Sequence, residues 1–354
     1  MIKKLIEKKN KPILIGEVSC NHNGKISNAK KIIKLAKKNK VDFVKLQTYT
    51  ADTITLKSNK NDFKIKKGLW KGYNLWDLYN SAQTPFEWQK ILFDYAKKLK
   101  IKCFSTPFDE SAVDLLEEIN CPLYKVASFE INHIPLIKKI AETKKPLIIS
   151  TGMADLKEID FAFNTASKYG SKEITLLYCV SNYPSKIEDF NLKNIEIIKK
   201  RFGCTVGFSD HSMDNRIAYS AVLMGADLVE KHIALNNQKK SHDIEFSIKG
   251  NDIKNFRENI DMAWKLRGKS YFYRNKSELN YKIYTRSIYA SKNILKNEII
   301  SKNNIKVVRP GFGMHSKFYY KILGKKVKKN IKFGDRISGN SILNFNKKKN
   351  WKII

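Results

Sequence analysis

The sequence predicts an α/β chain: a (β/α)₈ barrel followed by a small domain of short strands. Three observations carry this. Up to about Gly268, eight β-branched apolar runs alternate with eight amphipathic, helix-length segments, which is the pattern of parallel strands joined by crossover helices. The polar residues that interrupt the runs gather at one end of each, as a barrel with its active site at the C-terminal ends of its strands requires. After Gly268 the periodicity gives way to short apolar pieces broken by Gly, Asn and Pro.

The strand-like runs are 13–18, 43–47, 101–105, 123–127, 147–150, 174–179, 205–208 and 228–232. The helical segments between and after them are 28–40, 85–100, 109–119, 135–142, 155–168, 192–200, 214–225 and 252–266. One connection, 51–83, is longer than a βα loop needs to be and carries Trp70, Tyr73, Trp76 and Tyr79. It reads as a lid or substrate loop, with its aromatic rings mainly packing. The expected organisation is a barrel over 1–268, a polar linker over 269–285, a compact domain over 286–345 and a frayed tail over 346–354.

Composition narrows the function. The chain has 354 residues and a formal charge of +34, yet only eight of its 68 basic residues are Arg. The lysines are spread from end to end, without the local Arg-rich patches and stacking aromatics of nucleic-acid readers. No nucleic-acid partner is expected, and the basic surface suits anionic small substrates. No apolar stretch approaches the ~20 residues that span a bilayer. Five cysteines without a C-x-x-C pair point to reduced thiols and a cytoplasmic location.

The chemistry is concentrated at the strand ends. His211 and His232 close the seventh and eighth runs, Thr205-Val-Gly-Phe-Ser-Asp-His211 and Ala226-Asp-Leu-Val-Glu-Lys-His232. One helix-length segment separates them, so neighbouring strands deliver two imidazoles at the same end. Two nitrogens with water, and no cysteine beside them, suit an open divalent site rather than a closed structural zinc. Lys45 and Lys125 lie inside otherwise apolar strands and need anions to be buried. With the hydroxyls of Ser105, Thr106, Ser128, Ser150 and Ser209 they describe a site for a phosphate and a carboxylate, the two groups of phosphoenolpyruvate. The alternative is that the lysines pair with buried carboxylates such as Glu17 or Glu130. His22 is read as a neighbour of the site or a capping residue, and His133 as structural. His242 stands beside Asp243, whose carboxylate suits sugar hydroxyls.

These segments resemble the nonulosonic (sialic) acid synthases. The resemblance lies in Glu17-Val-Ser-Cys-Asn-His-Asn-Gly24, Lys45-Leu-Gln-Thr-Tyr49, Phe104-Ser-Thr-Pro-Phe108 and Tyr124-Lys-Val-Ala-Ser128. It continues in Ser150-Thr-Gly-Met153, Gly207-Phe-Ser-Asp-His-Ser212, Glu230-Lys-His232 and Arg309-Pro-Gly311, in family order from about 12 to 345. The stretches 62–70 and 309–318 are most similar to the pseudaminic acid synthases within that family.

The resemblance implies an antifreeze-like (SAF, β-clip) domain at the C-terminal end and a domain-swapped dimer. It implies condensation of phosphoenolpyruvate with an open-chain six-carbon amino sugar, in the pseudaminic case a 2,4-diacetamido-2,4,6-trideoxy-altrose. The products would be a nine-carbon 2-keto acid for glycan or flagellin modification, and phosphate. It implies a divalent metal (Mn²⁺, Co²⁺, Mg²⁺ or Zn²⁺) held by His211 and His232. Lys45, Thr106, Lys125, Ser128, Ser150, Ser181 and Ser209 would hold phosphoenolpyruvate. Glu17, Gln47, Tyr183, Asp243 and Arg309 would contact the sugar, Arg309 reaching a partner subunit's site, and Glu130 is a candidate general acid/base. Ser181 stands where many relatives carry Asn. The rivals are an N-acetylneuraminate or legionaminate synthase, a sugar-phosphate aldol synthase of the same barrel type, and a non-catalytic carbohydrate-binding barrel.

Overall fold

Parallel strands covered on both faces read as near-continuous apolar runs, and the barrel strands do, with their polar residues gathered toward the C-terminal ends. In the computed structural model, which describes residues 1–345 apart from Pro184 and Ser270, they are β1 (Ile13–Glu17), β2 (Phe43–Thr48), β3 (Lys102–Pro107), β4 (Tyr124–Val126), β5 (Leu147–Ser150), β6 (Ile174–Cys179), β7 (Thr205–Asp210) and β8 (Leu228–Ala234). Every residue of β1, β4, β5, β6 and β8 is buried. Each strand pairs in parallel with the next, and β1 pairs with β8 to close the barrel, with Glu17 opposite His232. A two-residue strand, β9 (Ile248–Lys249), adds to β8 through Ile233 and Ile248.

The helices follow the sequence pattern. Before β1 lies α1 (Ile2–Lys9), and after it come α2 (Ile26–Lys38), α3 (Ala51–Ile54), α4 (Leu75–Ala82) and α5 (Phe86–Lys98). Then come α6 (Glu110–Glu118), α7 (Ile134–Glu142), α8 (Leu156–Lys168), α9 (Asn194–Phe202), α10 (Arg216–Leu223) and α11 (Asp252–Arg267). Side-chain caps explain the starts of α4, α6, α7 and α8. Asp155 accepts from the backbone of Lys157 and Glu158, and Glu158 answers to the Asp155 amide, a capping box. His133 Nδ1 accepts from Leu136 N at 3.0 Å and starts α7, the structural role its position suggested.

The helix α1 is an addition to the expected set. Its Ile2 and Ile6, one turn apart, are buried in the barrel's hydrophobic cluster; the lysines around them had hidden this two-residue stripe. On the N-terminal side of the strands, Asp42 accepts from Leu14 N at 2.9 Å and from Arg257 Nη1 at 3.0 Å, and Arg257 Nη2 donates to Pro12 O at 3.0 Å. This buried guanidinium ties α11 to β1 and β2. At Gly207 in β7, a side chain would collide with Leu228 and would sit 2.7 Å from Leu177 Cδ2, so the barrel interior there admits glycine alone.

The chain divides into two compact units, Met1–Gly268 and Lys269–Ile354. In the second, β10 (Ser287–Ala290) is the central strand, antiparallel to β11 (Ile305–Val308) and to β12 (Met314–His315). Its core is built largely of isoleucine, including Ile288, Ile294, Ile300, Ile305, Ile322 and Ile337. The stretch expected as a linker contains a short helix, Lys276–Leu279, and a 3₁₀ turn, Asn280–Tyr284. The expected tail, 346–354, lies outside the described residues.

Candidate active site

Four buried charges alternate across the barrel interior. Glu17, at the end of β1, contacts the Lys45 ammonium on β2, its register neighbour. Lys45 Nζ also lies 3.8 Å from Glu230 Oε1 and donates to Thr106 Oγ1 at 3.1 Å. Lys125 Nζ, on β4, reaches the same Glu230 oxygen at 2.5 Å. The result is a ladder, Glu17, Lys45, Glu230 and Lys125, with none of the four more than 4% exposed. Burial pushes the Glu230 carboxyl up, but the Lys125 and Lys45 ammoniums outweigh it and hold its pKa at about 2. Burial pulls Lys45 down to about 7, against the opposing pull of Glu230.

The lysines are therefore paired with carboxylates, and also open to a ligand. Of the two carboxylates foreseen as partners, Glu17 is one, while Glu230 takes the place expected of Glu130. Both lysines line a cavity of about 330 Å³ at the C-terminal ends of the strands. Lys125 has three donor hydrogens and, among the described residues, one hydrogen bond, to Glu230. Beside it Ser150 Oγ is buried without a partner, and Ser128 and Ser209 also line the cavity. Gly152 N donates to Ser128 Oγ at 3.2 Å; a Cβ on Gly152 would lie 2.7 Å from that oxygen and collide with Ser181 Oγ. The Gly152 amide and the hydroxyls of Ser128 and Ser181 thus lie close together just beyond the end of β5.

Next to the ladder lie the two imidazoles, their ring centroids 5.5 Å apart. Burial, then the neighbouring His232 and Lys125, pushes His211 down to about 3, so its ring is neutral at physiological pH, the form that binds metals. His211 Nδ1 lies 3.4 Å from Val180 O. His232 Nδ1, buried and without a hydrogen-bond partner, faces Asp243 Oδ2 at 3.4 Å, a carboxylate in position to orient the ring. Asp243 is held in turn by Ser19 Oγ at 2.5 Å. Burial works against ionisation of Asp243, but His232 and then Ser19 keep it down at about 2. Among the described residues no group of three or more His, Cys, Asp and Glu is placed to hold a metal ion. The donor set is two histidines, which fits a divalent ion whose other positions go to water and substrate.

The remaining expected residues divide by position. Gln47, Glu130, Tyr183 and Asp243 line the cavity. Glu130 Oε2 is buried without a partner, and burial pushes this carboxyl up to about 7. Glu17, Thr106 and Ser181 lie behind the lining: the first two hold Lys45 and Ser181 abuts Gly152. His22 also lies outside the lining, its Nε2 3.1 Å from Thr84 Oγ1. Arg309 belongs to the second unit, exposed beside a cis Arg309–Pro310 peptide.

Sequence reading missed Glu230's part in the ladder, although it named the residue at a strand end. It also missed Ser19, a buried residue with φ of 43°, in a conformation uncommon for a side-chain-bearing residue. The insertion closes over the site: Trp70 Nε1 donates to His242 O at 3.1 Å, and Ser81 Oγ lies 2.9 Å from His242 Nε2. Trp70 also packs on Tyr183, which packs on His211 at 4.5 Å.

A closed barrel whose strand-end cavity is lined by two imidazoles, two lysines, several hydroxyls and the Glu130 carboxyl has the frame of an enzyme site. The chain belongs to the NeuB family, whose model matches residues 32–271, and a SAF domain follows at 285–343. It is 42% identical to a pseudaminic acid synthase of Campylobacter jejuni over 92% of this chain and 95% of that protein. It is 41% identical to that of Helicobacter pylori, over 94% and 98%. An N,N'-diacetyllegionaminic acid synthase of C. jejuni is 36% identical, over 91% and 97%. Among solved structures, the N-acetylneuraminic acid synthetase of Leptospira borgpetersenii, in complex with citrate, superposes with a TM-score of 0.69 at 28% identity, covering 77% of this chain and 90% of that one.

Glu130 gives the site a pH signature. Burial draws Lys45 down to about 7 as well, and the Glu130 carboxyl, protonated below about pH 7 and ionised above it, is expected to add its own limb to the pH–rate profile. Glu130→Gln should remove that limb and slow turnover by about 10²–10⁴. An unchanged pH–rate profile in the variant would show that another group moves the proton.

Proposed function

We propose that the protein condenses phosphoenolpyruvate with the open-chain form of 2,4-diacetamido-2,4,6-trideoxy-β-L-altropyranose, giving pseudaminic acid and phosphate. The observation that carries this reading is the Lys45–Glu230–Lys125 ladder beside the His211–His232 pair. It sets two ammoniums, which suit a phosphate and a carboxylate, next to two imidazoles within one cavity. The preference among family members rests on the 41–42% identity to pseudaminic acid synthases, against 36% to the legionaminic enzyme.

In this reading Lys45, Lys125, Ser128, Ser150 and Ser209 bind phosphoenolpyruvate, with Thr106 and Glu17 fixing the Lys45 ammonium. Ser181 acts through Gly152, which it leaves no room for a side chain. Gln47, Tyr183 and Asp243 orient the sugar, and Glu17, behind the lining, acts on it through the Lys45 ammonium. The third carbon of phosphoenolpyruvate bonds to the aldehyde carbon of the sugar, water adds to the second carbon, and the carbon–oxygen bond to phosphate breaks. Glu130 Oε2 exchanges the proton that this addition displaces. His211 and His232 would hold a divalent ion (Mn²⁺, Co²⁺, Mg²⁺ or Zn²⁺), which when bound supplies Lewis-acid polarisation of the aldehyde. The closed 51–83 insertion keeps bulk water from the bound pair.

The chain works as a cytoplasmic homodimer in which Arg309, carried on an exposed loop of the second unit, serves the sugar site of the other copy. The working division is a barrel over 1–268, a connector over 269–285 and a SAF domain over 286–345. No helix among the described residues is long and apolar enough to cross a membrane.

Phosphate release in the presence of phosphoenolpyruvate and three sugars tests the reaction. The altro-configured diacetamido sugar should turn over at least tenfold faster than its legionaminate counterpart or N-acetylmannosamine. Equal rates, or a preference for either of the others, would replace this reading with the sibling enzyme. Stripping metal with a chelator should abolish turnover, and adding back Mn²⁺ or Co²⁺ should restore it. Full turnover after elemental analysis shows no metal would refute the assignment to His211 and His232. A chain truncated to 1–268 should lose sugar affinity, read as a KM at least tenfold higher, if Arg309 serves the site; an unchanged KM would exclude it.

A further inference from the structure

The cavity has two chemically different walls. The strand ends bring the ladder, the imidazoles and Asp243, whereas the insertion brings Ile54, Ile65, Trp70, Leu75, Leu78 and Tyr79. None of the insertion's many charged side chains reaches the lining. Trp70 has one polar atom, and its Nε1–H is spent on His242 O at 3.1 Å. Apart from the Tyr79 hydroxyl, this wall offers no side-chain hydrogen-bonding group to a substrate.

We propose that this apolar wall receives the C6 end of the acceptor sugar and selects a 6-deoxy acceptor over its 6-hydroxy counterpart. The inference rests on the reading above, in which the aldehyde carbon meets phosphoenolpyruvate at the strand ends. With C1 held there, C6 is the far end of the open chain and falls to the insertion, which lies beyond the strand ends. The chemistry of the groups agrees. Each acetamido group carries an amide N–H and a carbonyl that need partners when buried, so those groups belong on the polar side. Of the two ends of the six-carbon chain, C6 is the one without a polar atom. A hydroxyl placed there would lose its water with the Tyr79 hydroxyl as the one side-chain partner this wall offers, while a methyl buries apolar surface.

An apolar pocket rejects an added hydroxyl only moderately, by about 10²-fold at most. The wild-type protein should therefore prefer the 6-deoxy diacetamido sugar over the 6-hydroxy diacetamido sugar by about 10–10² in kcat/KM. Leu75→Asn, which gives the wall a hydrogen-bonding group, should cut that ratio about tenfold and leave the KM for phosphoenolpyruvate within about twofold. Ile65→Thr is the milder second variant, in case the first fails to fold, and should move the ratio in the same direction. Equal kcat/KM for the two sugars in the wild type would overturn the proposal. So would an unmoved ratio in a folded variant. Absence of phosphate release with every acceptor would instead overturn the proposed reaction, and the wall's role with it.

Discussion

The structure turns on one constraint: two lysine ammoniums are kept inside a barrel where water cannot solvate them. An isolated buried ammonium is costly, and Lys45 shows that cost in a pKa drawn down to about 7. Glu17 and Glu230 make the burial tolerable, and the spacing of the carboxylates is set by the barrel. Glu17 and Lys45 face each other in the β1–β2 register, and Glu17 and His232 in the β1–β8 register. The closure of β1 on β8 is thus what places an anion between the metal-type imidazole and the first lysine. A one-residue slip in either pairing would turn these side chains to the helical face of the sheet.

This dependence explains what sequence could and could not say. The eight strands and their helices were legible because apolar runs and 3.6-residue stripes are local signals. The cavity residues Lys45, Lys125, Ser128, Ser150, His211 and His232 were legible because a polar group at the end of an apolar strand stands out from its neighbours. Pairing between them was not. Lys125 and Glu230 are 105 residues apart, and Ser19 and Asp243 are 224 apart. Glu230 looked like one more strand-end carboxylate, and only closure of the barrel makes it the shared anion between two lysines. Ser19 carried no signal at all, since its positive φ is imposed by the turn that returns its amide to Glu17 Oε1 at 2.7 Å.

The helix α1 and the insertion show a different kind of gap. Two isoleucines among lysines are too short a stripe to stand out, yet burial of Ile2 and Ile6 is enough to fix a two-turn helix against the barrel. The insertion was recognised by its length and its aromatic rings, and packing was the expected use of those rings. Trp70 does pack, against Tyr183. It also donates to the backbone of His242, so one side chain both walls the cavity and latches two loops. A backbone acceptor is invisible in sequence because every residue carries one.

Charge accounting links the two halves of the site. Lys45 and Lys125 are matched by Glu17 and Glu230, so the ladder is neutral when all four are ionised. Asp243, held down at about 2, adds one negative charge, and His211, pushed down to about 3 by burial, adds none. These six groups together therefore carry about minus one before Glu130 ionises. A site of that sign repels a substrate carrying phosphate and carboxylate, whatever hydroxyls surround it. A divalent ion, held by His211 and His232 as proposed, would reverse the sign. Metal and anionic substrate would then favour each other through the field they share, and the same reversal would favour the ionised form of Glu130, whose burial otherwise pushes its carboxyl up to about 7.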